Sequence, residues 1–236
     1  MRTNTMLCLA RGQILSHPIF YSFLRDLETH TKNEALDDIQ QYHVDCWKSC
    51  KTIRIAQDKL KIAEDCIRQS YRYCQNDHQL AEYIEFHVEN YLIRSKSVYD
   101  RVLMFVNYLC DIQMAKEHVN HNSILTNRKV EQAGLKEAIK RVKKTCEVYR
   151  LERNSVVHHD SYNDDRLDWV DTALKAKKIL SGRLDSIGLN ESHVTDAAAS
   201  FLADKMEEFT KNSESIAGAV FGFLDDAQIV YDQRAQ

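Results

Sequence analysis

Glycine and proline are scarce in this chain, which has six glycines and one proline, Pro18, in 236 residues. Proline removes a backbone donor and fixes φ, and glycine loses the most entropy on ordering, so both are kept out of helix interiors. Sheet-rich folds need a turn every ~8–12 residues, usually made with glycine, proline or Asx residues. That punctuation is missing, which argues against an all-β architecture and leaves room for long helices. Long apolar runs are missing too. The one near the C-terminus, Ile216 to Leu224, falls far short of the ~20 residues of a bilayer span. The stretch from Met6 to Ala10 is too short for a signal-peptide core of ~7–15 residues. The expectation is a cytoplasmic protein with no membrane partner.

Two further absences narrow the chemistry. The seven cysteines (Cys8, Cys46, Cys50, Cys66, Cys74, Cys110, Cys146) contain no C-x-x-C pair, which argues against a zinc ribbon or a thioredoxin-type motif. Odd in number and mostly at apolar helical positions, they read as reduced core thiols. No charge of one sign dominates, with 32 basic against 35 acidic residues and a net charge of −3. That balance argues against a nonspecific nucleic-acid coating protein and still permits a small basic site.

What is present is helical periodicity, in a length ample for a buried core. A short helix is expected from Ser16 to about Thr31, with Pro18 in its first turn. A long one follows from about Asn33 to Cys74, with apolar positions including Leu36, Ile39, Cys46, Cys50, Ile53, Leu60 and Ile67 mostly three, four or seven apart. The polar turn Gln75-Asn76-Asp77 leads into a third helix, from about His78 to Gln113. Its buried stripe is Tyr91, Val98, Val102, Phe105 and Leu109. At ~100° per residue, Asn90, Arg94, Ser97 and Arg101 flank that stripe, and Glu89 and Asp100 lie nearly opposite it. Flanking arginines are ordinarily salt-bridged, and their alternative role is to meet phosphate. Ala115 to Asn127 reads as a loop. His118 and His121 could share a helix turn there, but no nearby ligand completes a metal set, so no metal and no cofactor are expected.

A fourth helix is expected from about Lys129 to Leu151, with Lys136, Lys140, Arg141, Lys143 and Lys144 opposite its apolar face. Such a run is ordinarily a solvated face, yet this one leads into the segment that carries chemistry. Helices from about Arg166 to Leu180 and from Ser192 to Tyr231 complete the chain. Ser181-Gly182 and Gly188-Leu189-Asn190 mark the boundary between them, and Gly218 and Gly222 give the last helix a small face for close packing. The architecture expected is all-α, a bundle of long antiparallel helices in a single domain over residues 1–236.

Residues 152–162 read Glu-Arg-Asn-Ser-Val-Val-His-His-Asp-Ser-Tyr. The run Arg153-Asn154-Ser155-Val156-Val157-His158 resembles the Arg-Asn-x-x-x-His signature of the HEPN superfamily (higher eukaryote and prokaryote nucleotide-binding). The stretch from Glu89 to Arg101 is similar to the upstream helix of a stand-alone prokaryotic branch. The resemblance covers about residues 78–236, with 1–75 as an N-terminal helical elaboration.

It implies an HEPN-like helical bundle that forms a homodimer and acts as a metal-independent endoribonuclease, a toxin or anti-phage effector with RNA as substrate and an antitoxin protein as a partner. The alternative it leaves open is a noncatalytic module that binds RNA, nucleotide or a partner protein. The chemistry fits the residue types. Cleavage through the ribose 2′-hydroxyl needs a proton-transfer group near neutral pH, which histidine supplies with its ordinary pKa of ~6.5. It also needs donors aimed at phosphoryl oxygens, which the planar arginine fork supplies. The catalytic candidates are Arg153, His158, Asn154 and His159; the phosphate-binding candidates are Arg94, Arg101 and Lys144. Some members carry a tyrosine two residues after the histidine, for modification by an antitoxin. Here that position is Asp160, and Tyr162 stands two residues later.

Overall fold

The computed structural model describes residues 17–28, 36–74, 77–159, 162, 164–179 and 191–234, and all regular structure among them is helical. The helices are α1 (Pro18–Glu28), α2 (Asp38–Arg68), α3 (Ser70–Tyr73) and α4 (Asp77–Leu109). After a 3-10 turn (Lys116–His118) come α5 (His121–Leu125), α6 (Arg128–Gln132), α7 (Lys136–Cys146), α8 (Arg150–His159), α9 (Asp165–Ile179) and α10 (Glu191–Arg234). Pro18 opens α1, where its missing N–H costs nothing. The His17 Nδ1 caps that helix by accepting from the Ile19 amide at 3.2 Å. Asp37 caps α2 reciprocally with Gln40, at 2.7 and 3.0 Å.

The interruptions differ from the periodicity reading. The second helix ends at Arg68, because Gln69 turns to φ −103°, ψ 10° before α3. Three helices, not one, occupy the segment from Lys129 to Leu151. Gly134 sits at φ 71°, a left-handed conformation that glycine takes without strain, and α6 stops there. The second break follows Cys146, where Glu147 leaves the helical region at φ −108°, ψ 18°. The loop expected over 115–127 folds instead into the 3-10 turn and α5, because Asn120 and Ser123 form a capping box. The boundary at Ser181 to Asn190 and Cys8 lie outside the described residues.

The chain divides into two compact units. The first comprises Met1–Asp58, Lys96–Val148 and Glu214–Gln236, and the second Lys59–Ser95 and Tyr149–Ser213. Aromatic rings fill the first, with Phe23 edge-on to Tyr231 at 4.7 Å and Phe105 edge-on to Phe223 at 6.0 Å. The Tyr231 hydroxyl donates to Asp26 at 3.0 Å and accepts from His43 Nδ1 at 2.6 Å, so this buried phenol is fully partnered. Cys46, Cys50, Cys110 and Cys146 are buried free thiols of this unit. Burial pushes Cys110 up to about 11 and Cys46 and Cys146 up to about 12, which keeps them protonated and unreactive. Gly218 and Gly222 face open space where a Cβ would stand, so the close packing expected on that face is not made among the described residues.

The second unit combines small residues with a buried polar network. Ala81, Val170, Ala173, Val194 and Ala198 form one cluster, a use for the alanine-rich start of α10. Tyr91 stacks on Phe209 with centroids 3.8 Å apart. Its hydroxyl donates to the Phe209 carbonyl at 2.9 Å and accepts from Asn212 at 3.1 Å. Beside it Glu64, with no exposed surface, accepts from the Ser213 hydroxyl and from Lys61 Nζ at 2.8 Å. A buried carboxylate survives in such a core only when its oxygens are satisfied in this way.

Candidate functional site

The motif lies on α8, held at both ends by groups of the second unit. Ahead of it, Tyr149 is buried edge-on to Phe209 at 5.6 Å and to Tyr91 at 6.2 Å. Burial and a hydrogen bond with Glu208 push its phenol above the ordinary tyrosine range. The Tyr149 carbonyl accepts the amide of Arg153 at 2.9 Å. Beyond α8, the Tyr162 amide donates to Glu89 Oε1 of α4 at 2.8 Å.

The Tyr162 ring is buried and its hydroxyl donates to Asp164 at 2.9 Å. Burial pushes the phenol up to about 12, so this tyrosine is not the exposed acceptor found in some relatives. Burial alone would raise Asp164, but the Tyr162 hydrogen bond, the Lys205 charge and two backbone amides bring it below the usual carboxylate range. It caps α9 through the amide of Arg166 at 3.0 Å.

Along α8 the candidate residues separate by direction. At ~100° per residue, Asn154, His158 and Leu151 fall within an arc of about 60°. His158 is exposed, and two apolar neighbours stand in solvent with it, Leu151 at 80% and Val157 at 53% exposure. Arg153 points about 140° from His158 on this unbroken helix. It is half-buried, its Nη2 donating to Asn154 Oδ1 at 2.6 Å. Its Nε is buried with no hydrogen-bond partner, and among the described residues no carboxylate pairs with it. One chain therefore joins Arg153 to Asn154 but does not bring Arg153 to His158. The His159 backbone closes the helix, and its side chain lies outside the described residues.

The phosphate-binding candidates divide between the units. Arg94, in the second, is half-buried and donates to Asn90 Oδ1 at 3.1 Å, with no carboxylate partner among the described residues. Arg101 and Lys144, in the first, are exposed. Sequence reasoning missed Glu89 as a positioning residue, having placed it opposite the apolar stripe. Its partner is a backbone amide 73 residues away, for which no local pattern exists. The same holds for Glu64 and Ser213, 149 residues apart. His121 meets the Tyr99 hydroxyl at 2.5 Å, and among the described residues no cluster of histidine, cysteine or carboxylate is arranged to hold a metal ion. No helix of the described residues is long and apolar enough to cross a membrane.

A family model described as Cthe2314-like HEPN matches residues 57–216, a stretch that begins within α2 and contains α8 whole. No curated protein and no solved structure gives a match.

Proposed function

The chain belongs to the HEPN superfamily, and from that premise we propose that it is a metal-independent endoribonuclease whose active site forms where α8 of one copy meets α8 of a second. Family membership supports a nucleotide- or RNA-related role in general. The finer reading rests on one observation. A half-buried arginine without a carboxylate, an exposed histidine and two exposed apolar side chains share a ten-residue helix that is fixed at both ends.

An arginine in this setting has an unmet preference for an anion. Leu151 and Val157 offer apolar surface to another protein, and a two-fold arrangement apposes identical patches. Across such an interface the Arg153 of one copy reaches the face carrying the other copy's His158, closing a gap that a single helix leaves open. Both guanidinium groups then bracket one phosphodiester. One His158 takes the 2′-hydroxyl proton as the 2′-oxygen bonds to phosphorus. The bond to the 5′-oxygen breaks, and the other His158 protonates that leaving oxygen. The products are a 2′,3′-cyclic phosphate and a 5′-hydroxyl, and DNA, lacking the 2′-hydroxyl, is not cut.

Asn154 holds the Arg153 fork, and His159 is the neighbouring proton-transfer candidate. Arg94, Arg101 and Lys144 are proposed to contact flanking phosphates. A toxin or anti-phage role, restrained by an antitoxin, is the cellular setting proposed for such an activity in the cytoplasm.

The test is incubation of purified protein with total RNA in EDTA beside His158→Ala, with end-group analysis. Cyclic-phosphate ends from the wild type alone support the reading. Undiminished cleavage by His158→Ala, or full activity from a monomer, overturns it. No cleavage by either protein leaves the alternative, a noncatalytic module that binds RNA, nucleotide or a partner protein.

A further inference from the structure

Between α3 and the first turns of α4, in the second unit, lies an open cleft of about 580 Å3. Its lining is dominated by rings, those of Tyr73, Tyr83, Phe86 and His87, with the thiol of Cys74 and the carboxylate of Glu82. The rings meet in sequence. Tyr73 and Tyr83 are 6.3 Å apart at 35°, Tyr83 and His87 4.4 Å apart at 56°, and Phe86 and His87 5.1 Å apart at 84°. Tyr73 and Phe86 each stand 62% exposed. Two large aromatic side chains left in solvent around one concavity are a mark of a binding surface.

Ring geometry decides what class of ligand fits. A flat heteroaromatic group seeks near-parallel faces to stack between, and none of these three pairs is parallel. Rings set at successive angles instead surround a compact group on several sides, the cage arrangement that holds alkylated ammonium ions by cation–π attraction.

The charges agree. The lining has one carboxylate, Glu82, and no lysine or arginine. Burial lowers the pKa of His87, so the ring stays neutral near pH 7 and does not repel a cation. Its Nδ1 is buried with no hydrogen-bond partner among the described residues. The field beside the cleft is negative, because Glu85 is raised by burial and by the charges of Glu89, Asp171 and Asp168. The cation facing this group, Lys175, is paired with Asp171 at 2.5 Å. A phosphodiester would be repelled here.

We infer that this cleft binds a small alkylated ammonium ion, with the rings as cation–π walls and Glu82 as counter-charge. The site is separate from the α8 motif and does not depend on ribonuclease activity.

Calorimetric titration of the full-length protein with choline, and with its uncharged isostere carrying carbon in place of nitrogen, tests this. Saturable choline binding is expected, weaker by about tenfold for the isostere and for Phe86→Leu and Glu82→Gln, the scale of one cation–π contact or one desolvated charge. Tyr21→Leu, at an exposed ring of the first unit, should bind as the wild type does. Circular dichroism establishes that each variant is folded, and Glu82→Gln carries the test should Phe86→Leu misfold. The inference is overturned by absence of saturation with choline, by equal binding of the isostere, or by a folded Glu82→Gln that titrates like the wild type.

Discussion

α7 and α8 are consecutive helices of 11 and 10 residues, and they treat charge in opposite ways. α7 buries Ala138, Ile139, Val142 and Cys146 and pairs most of its cations. Lys136 meets Glu131 at 2.9 Å, Lys140 meets Glu137 at 2.6 Å, Arg141 meets Asp226 at 3.1 Å and Lys143 lies 3.7 Å from Glu147. Lys144 alone of the five has no ion pair among the described residues. On α8 neither Arg150 nor Arg153 has a carboxylate partner among the described residues, and Leu151 and Val157 stand in solvent. The basic run is the louder signal in the sequence, yet its charge is mostly answered within the chain. The quieter helix keeps its cations and apolar groups unanswered. Partner accounting separates a solvated face from a candidate site where charge counting does not.

That contrast can be broken by substitution. Arg153→Ala and His158→Ala should each lower RNA cleavage by about 10²–10⁴-fold, the usual contribution of a positioned proton-transfer group or oxyanion donor. Both variants should sediment as the wild type does. Glu64→Ala, far less exposed than anything on α8, should lower unfolding free energy by about 3 kcal/mol in denaturant melts, because it strands Lys61 and the Ser213 hydroxyl. A loss below about 1 kcal/mol would show that the network is not a stability element. Leu151→Asp should weaken self-association by at least about tenfold in sedimentation equilibrium while leaving the melting midpoint in place. An unchanged association constant would move the interface off α8. The smallest effect belongs to α7, where Lys140→Ala should alter neither cleavage rate nor melting. A cleavage loss there matching that of Arg153→Ala would erase the distinction between the two helices.

Most of the helical plan was legible because it rests on local chemistry. Scarce glycine and proline, an apolar repeat and a proline at Pro18 are enough to predict α1, α4, α9 and α10 within a few residues of their ends. The breaks were harder. Gly134 is visible as a residue, but its positive φ is settled only by the packing of its neighbours, and the turn at Glu147 carries neither glycine nor proline. Asn120 and Ser123 hid a helix start inside what read as a polar loop. At the candidate site the motif itself and the wide angle between Arg153 and His158 were legible from spacing. The supports were not, since Glu89, Tyr149 and Tyr162 act through contacts between distant stretches.

The grip of Glu89 on the Tyr162 amide, with Tyr149 locked on the other side of α8, has a consequence for chain length. One added residue advances everything after it on a helix by 1.5 Å and 100°. Inserted between Arg153 and His158, it would swing the imidazole away from Leu151 and Asn154. Inserted after His158, it would push the amide off its carboxylate. The stretch between the two anchors thus works as a ruler with fixed graduations, and changes of length there should be tolerated far less than changes of letter.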